Sequence, residues 1–195
     1  MKIGVLGGTF NPVHNGHLIL AQEAKEILCL DKIIFIPANL PPHKENVDIA
    51  DQRDRLKMLK IAVRGNRDFS VSNMEIRRRG KSYTIDTIRA LKDKYPNDTL
   101  YFIIGSDLLK YLDAWKDLNE IMGMVKFIVA TRPGFPLENI PDYIETLSIR
   151  AVDISGFSVR RCIREHKSFR YLVPEGVYAY INKNKLYSAA KRHRG

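Results

Sequence analysis

His14 and His17 stand three residues apart, so on a helical turn both imidazoles project from one side. Gly16 lies between them and leaves room for something to approach closely. Just upstream, Gly7 and Gly8 can take positive φ and let a phosphate reach bare backbone N–H groups. A helix beginning near Asn15 adds unpaired N–H groups and a positive dipole end. Two imidazoles beside such an anion hole form a clamp for a phosphate whose charge grows in a transition state. Other readings exist for the same residues. A Gly-Gly pair after a strand is on its own an ordinary turn. Two histidines at this spacing could be metal ligands, although a third ligand with His or Cys chemistry is not obvious nearby.

A second segment has the same character. Ile154-Ser155-Gly156-Phe157-Ser158-Val159-Arg160-Arg161 places a good N-cap, Ser155, ahead of a helix expected to run to His166. Arg160 then lies one to two turns in, where it can grip a pyrophosphate with two parallel hydrogen bonds. After the second apolar run, Ala38-Asn39-Leu40-Pro41-Pro42-His43-Lys44 reads as a loop, because paired prolines forbid helix. Asn39 and Lys44 are candidate phosphate contacts there; the plain alternative is a surface turn. Ser82 or Thr84 could simply cap the helix that follows. Trp115 is the only tryptophan, and a single tryptophan is more often core than ligand platform.

The elements that must position these residues alternate. Ile3 to Leu6 is a buried-type strand, and Leu18, Ala21, Ala24, Ile27 and Leu28 form one face of the helix after it. Lys32 to Ile36 is a second strand, Arg53 to Val63 a second helix and Phe69 to Ser72 a short third strand. Residues 73–82 stay unassigned, and a helix runs from Ser82-Tyr83-Thr84 through Leu91 to an end near Tyr95-Pro96. Thr99 to Ile104 is a strand closed by Gly105-Ser106-Asp107, and Trp115 falls near the end of a short helix. Lys126 to Thr131 is a further strand, residues 135–147 are irregular or a helical insertion, and Ser148 to Val152 is a final strand. A last helix ends near Asn184. Alternating strands and helices predict an α/β fold, a parallel sheet with helices on both faces. Both glycine-histidine and Asn39 loops then leave carboxyl ends of strands and share one crevice.

At 195 residues, with 45% hydrophobic and 28% charged residues, the chain fits one ordinary globular domain. No apolar run approaches the ~20 residues that span a bilayer. The N-terminus shows no signal-peptide layout. Cys29 and Cys162 are expected to be reduced, cytosolic thiols. The net charge of +10 invites a nucleic-acid reading. Part of it lies in Lys191, Arg192 and Arg194 and part in Arg77-Arg78-Arg79-Gly80-Lys81. Small anionic substrates account for a basic cleft equally well, and no nucleic-acid-binding signature is present.

The opening segment resembles the nucleotidyltransferase superfamily marked by His-x-Gly-His. The longer run Gly-Gly-Thr-Phe-Asn-Pro-Val-His-Asn-Gly-His is similar to the bacterial nicotinate-mononucleotide adenylyltransferases. Those also carry a Pro-Pro-His-Lys segment, a Ser-Tyr-Thr, a Gly-x-Asp after the middle strand and a tryptophan at the place of Trp115. The resemblance runs from residue 3 to about 187. Asn11 stands where the family usually has Asp, and Phe157 where it has Thr.

The resemblance implies a single Rossmann-like domain over 1–187, with a basic tail at 188–195. It implies AMP transfer from ATP to nicotinate mononucleotide, giving nicotinate adenine dinucleotide and pyrophosphate. Carried over by position, His14, His17, Lys44 and Arg160 would be catalytic. Gly7, Gly8, Thr9, Phe10, Gly16, Gly105, Asp107, Ile154, Ser155 and Ser158 would surround ATP. Asn39, Ser82, Tyr83, Thr84, Trp115 and Arg132 would surround the mononucleotide. Mg2+ would arrive bound to the triphosphate rather than to a protein site. The expected partners are these two nucleotides, with no nucleic acid and no membrane, in the cytoplasm; homo-oligomerisation stays open. The rivals are transfer to nicotinamide mononucleotide or phosphopantetheine and, in a different class, a basic RNA-binding module without turnover.

Overall fold

The computed structural model describes residues 1–39, 49–78, 80–131, 134, 140–141, 144–150 and 152–188. Within these, six strands form one parallel sheet: β1 (Lys2–Gly8), β2 (Lys32–Pro37), β3 (Phe69–Val71), β4 (Thr99–Gly105), β5 (Lys126–Ala130) and β6 (Glu145–Leu147). Their spatial order is β3-β2-β1-β4-β5-β6. The chain therefore winds outward from β1 on one side, returns, and winds outward from β4 on the other. The β1/β4 pair, in register from Lys2 opposite Thr99 to Leu6 opposite Ile103, is the switch point where a doubly wound sheet opens a crevice.

The inner strands β1, β2, β4 and β5 are apolar on both sides, as a sheet covered twice requires. Leu6, Ile33, Phe35, Ile103 and Ile128 face one core, shared with Ala21 and Ala24 of α1 (Asn15–Ile27) and Met58 and Leu59 of α2 (Gln52–Ala62). Val159 of α6 (Gly156–Arg164) and Val177 and Ile181 of α7 (Glu175–Asn184) complete that layer. Ile3, Val5, Ile34, Ile36, Phe102 and Val129 face the opposite core. That layer is closed by Ile85, Ile88 and Leu91 of α4 (Thr84–Lys94) and Ile121 of α5 (Leu118–Met124). The remaining helices are the short α3 (Met74–Arg78) and a 3-10 helix over Ser106–Ala114.

Several expectations need correcting. The final strand lies at Glu145–Leu147, pairing with Ile128–Ala130, and the described residues 148–150 and 152 are not strand. Ile149, whose amide donates to Thr131 Oγ1 at 3.1 Å, and Val152 are apolar because they line the cleft. Strand β1 continues through Gly7 and Gly8, and neither glycine has positive φ; Phe10 does, at 47°. Gly8 is small for room instead: a Cβ there would sit 3.3 Å from the Phe10 ring. Neither Ser82 nor Thr84 caps α4. Its N-cap is Tyr83, with no side-chain cap. The tail at 188–195 lies, apart from Ser188, outside the described residues.

Candidate active site

One cleft of about 810 Å³ opens over the carboxyl ends of the central strands. Of the residues singled out above, it is lined by Gly7, Gly8, Thr9, Phe10, His14, Gly16, His17, Ser82, Tyr83, Thr84, Gly105, Asp107, Trp115, Ile154, Ser155 and Arg160. Asn39 and Ser158 are not among its walls. Lys44 and Arg132 lie outside the described residues.

The histidine pair is brought together as its spacing requires. His14 is the N-cap of α1 and is 5% exposed; its ring centroid lies 3.7 Å from that of His17. The His14 amide donates to His17 Nδ1 at 3.2 Å. A neutral imidazole that accepts at Nδ1 carries its proton on Nε2, so His17 is set as a donor through that atom. Phe10 packs edge-on against His17 at 4.9 Å and fixes the ring plane. The small residue between the histidines accommodates His14 itself, since a Cβ on Gly16 would lie 3.1 Å from its Nδ1. Two first-turn amides of α1 are already engaged, Asn15 N by Leu172 O at 2.9 Å and His17 N by His14 O at 3.0 Å. More of any anion's stabilisation at this helix start therefore falls to the imidazoles.

The second helix start converges on the first. Ser155 accepts from the Ser158 amide at 3.0 Å while Ser158 Oγ accepts from the Ser155 amide at 3.1 Å, a reciprocal cap. Ser158 also spends its hydroxyl proton on Ser155 O at 2.8 Å, so it does not supply the hydroxyl that Phe157 removes. Phe157 itself lines the cleft and is 58% exposed. Arg160 Nη1 reaches back to Asn11 O at 2.7 Å. Asn11 Oδ1 accepts from Tyr187 Oη at 2.8 Å and from the Ala50 amide at 3.0 Å, so the amide oxygen meets the structural demand there without adding a charge. Burial raises the Tyr187 hydroxyl well above its ordinary range, keeping it a neutral donor.

The far end of the cleft is built on α4. Tyr83 and Thr84 stand at a helix start with no side-chain cap, which leaves its polarity available to an anion. Ser82 Oγ accepts from the Asn39 amide at 2.9 Å, and Asn39 Nδ2 donates to Gly80 O at 3.0 Å; Asn39 thus braces this wall rather than forming it. Glu75, 8% exposed, accepts from Thr87 Oγ1 at 2.7 Å, and Thr87 accepts from Arg78 at 3.0 Å. Burial pushes the Glu75 carboxyl up, against the pull of its bonds to Thr87 and Ser82 and of Arg78. Trp115 is half-buried, edge-on to Phe102 at 5.9 Å and to Phe127 at 6.0 Å. It is at once cleft wall and core.

Glu75, Thr87 and Tyr111 also line this cleft, and the sequence pattern did not single them out. Glu75 and Thr87 carry a weak signal, a polar residue on the buried face of a helix; Tyr111 carries none.

Residues 5–162 match the family described as cytidylyltransferase-like. The chain is 42% identical to the nicotinate-nucleotide adenylyltransferase of Bacillus subtilis, over 96% of this chain and 99% of the relative. It is 44% identical to the probable nicotinate-nucleotide adenylyltransferase of Geobacillus thermodenitrificans, over 96% and 87%. The fold is similar to that of Plasmodium falciparum nicotinic acid mononucleotide adenylyltransferase complexed with NaAD, with TM-score 0.80 at 18% identity over 95% of this chain and 97% of that one.

Proposed function

Because the chain belongs to the cytidylyltransferase-like family, we infer that it is an adenylyltransferase moving AMP from ATP to nicotinate mononucleotide. The observation that carries this reading is convergence. Two helix starts, the His14/His17 pair and Arg160 meet in one cleft whose other end is the Tyr83–Thr84 helix start and Trp115.

The mononucleotide phosphate is already an oxyanion nucleophile, so no base is needed. Its oxygen forms a bond to the α-phosphorus of ATP as the bond to the β-phosphate bridging oxygen breaks, and pyrophosphate leaves with that electron pair. Catalysis is then alignment and charge stabilisation. His14 and His17 hold the α-phosphate, His17 donating through Nε2. Arg160, with Lys44, takes the growing charge on the pyrophosphate. The pyridine carboxylate meets the backbone at Thr84, and the ring stacks on Trp115.

Magnesium enters this reading with ATP. Among the described residues no group of three or more His, Cys, Asp and Glu is placed to hold a metal. Asp107 is a carboxylate in the cleft wall, able to accept from water on a cation already ligated by phosphate oxygens. Bound so, the ion would supply neutralisation of triphosphate charge. A cytoplasmic site of action fits the free thiols Cys29 and Cys162. No helix among the described residues is long and apolar enough to cross a membrane.

The test is pyrophosphate release from ATP with nicotinate mononucleotide, nicotinamide mononucleotide and phosphopantetheine as separate acceptors. Turnover favouring the nicotinate form is expected. Preference for either other acceptor reassigns the substrate. Salt-sensitive RNA retention without any pyrophosphate release would replace the enzyme reading with a binding one.

A further inference from the structure

Arg55 belongs to α2 and is not a wall of the cleft, yet it is 1% exposed and all three of its guanidinium nitrogens donate to backbone. Nη1 donates to Thr9 O at 2.8 Å and to Ala38 O at 2.7 Å. Nη2 donates to Asn39 O at 2.9 Å and Nε to Ala50 O at 3.1 Å. Thr9 is in the loop leaving β1, and Ala38 and Asn39 are in the loop leaving β2. One planar group therefore ties the carboxyl-end loops of two neighbouring parallel strands to the start of α2.

The bonds continue on both sides. Through Thr9, Arg55 holds the segment that leads to Asn11, His14 and His17. Through Asn39, whose amide donates to Ser82 Oγ at 2.9 Å, it reaches the wall that precedes α4. The two ends of the cleft are thus linked by a short path, Thr9–Arg55–Asn39–Ser82. Only a fork of fixed donors can serve four carbonyls at once; an ammonium group is a single point on a flexible stem. Without the fork, buried carbonyl oxygens lose their partners, and loops that must stay in fixed relation gain freedom.

We propose that Arg55 is a positioning residue that sets the separation and angle of the two substrate half-sites, acting on the transfer step rather than on the binding of either substrate. The proposal rests on the adenylyl-transfer reading above, which supplies the two half-sites. Each half-site keeps its own local scaffold, the His14/His17 turn on one side and the α4 start on the other. Separate binding of each nucleotide is therefore largely preserved when the tie is cut. Alignment of the phosphate oxygen with the α-phosphorus is not, and in-line attack is sensitive to displacements of an ångström.

The experiment uses the full chain with Arg55→Lys, Arg55→Gln and Arg55→Ala. Thermal melts establish which variants fold; ATP and nicotinate mononucleotide are titrated separately; single-turnover rates are measured with both. In the folded variants each binary affinity should stay within about threefold of wild type while the transfer rate falls about thirtyfold to a hundredfold. Added methylguanidinium should recover part of the rate in Arg55→Ala, or in Arg55→Gln if the alanine variant does not fold. A transfer rate close to wild type in Arg55→Lys and Arg55→Gln overturns the proposal. So does an equal loss of both affinities and rate, which marks Arg55 as merely structural. Wild-type protein that transfers nothing to any mononucleotide removes the functional reading and this inference together, whereas active wild type with unaffected variants removes the inference alone.

Discussion

Arg160 Nη1 donates to Asn11 O at 2.7 Å, so the arginine proposed for pyrophosphate is anchored to the loop that leads to His14. The contact joins α6 to the β1–α1 loop across 149 positions of sequence. It makes Arg160 a spacer between two helix starts as well as the proposed ligand for charge. Lysine can keep the charge but has no planar fork with which to hold Asn11 O and present two parallel donors to phosphate. Arg160→Lys should therefore weaken ATP and pyrophosphate by about tenfold or more, with little change for the mononucleotide. Separate titrations check this, and equal losses for both substrates would place Arg160 elsewhere.

Gly156 tests the same spacing from the backbone side. A Cβ at this position would fall 2.7 Å from Asn11 O, a backbone atom with little freedom to retreat. Gly156→Ala should push α6 away from the loop and lower kcat/KM by about tenfold or more. Gly123 in α5 is the control, because a Cβ there meets nothing within 4 Å. Gly123→Ala should raise stability by about 0.5–1 kcal/mol and leave activity alone. Matching effects of the two substitutions on kcat/KM would contradict the spacing argument.

His17→Ala should leave the fold intact and lower kcat by about a hundredfold, the usual loss for one preorganised donor. Phe10 and His14 lose a ring contact, but neither core depends on His17. An unchanged circular-dichroism spectrum with near-normal kcat would remove His17 from the chemistry.

What was legible in the sequence follows from range. The histidine turn and the Ser155 cap are local patterns, and the structure draws them as the residue types demand. The parallel order was readable from alternating apolar segments because every inner strand is buried on both faces. Arg55 was not readable: it sits among Arg53, Asp54 and Lys57 on what looks like a solvated helix surface, and its partners are backbone carbonyls, which leave no mark in sequence. Asn11 and Tyr187 meet across 176 positions with nothing local to announce it. Strand β6 was misplaced because a three-residue edge strand with only Leu147 buried is a weaker signal than the cleft-lining Ile149 and Val152.

Glu75 gives a pH prediction. Burial raises its folded pKa above the ordinary value of 4.5, so between those two values the native state binds more protons than the unfolded one. Stability from this group is then fully present below the ordinary value, falls as pH rises through the window, and stays flat above the raised value. Glu75→Gln keeps an acceptor for Thr87 and cannot ionise. Its melting temperature relative to wild type should therefore increase from about pH 4 towards neutral and then level off. Melts across that range check the sign; an advantage that shrinks as pH rises would refute it.

Trp115 tests the proposed mode of substrate recognition. It is the only tryptophan, so quenching of its fluorescence by the mononucleotide, and not by ATP, is the first expected sign of ring stacking. Its edge-on contacts with Phe102 and Phe127 mean that truncation also costs stability, which a simple alanine variant would confuse with binding. Trp115→Phe separates the two, because a smaller aromatic keeps a stacking face while losing only part of the packing. Trp115→Ala should weaken mononucleotide binding by ~1–3 kcal/mol, the range for a base losing its aromatic platform, with ATP binding nearly unchanged. Trp115→Phe should recover most of that affinity. If both ligands instead weaken in proportion to the drop in melting temperature, Trp115 is acting as core, and the pyridine ring must be held by another wall of the cleft.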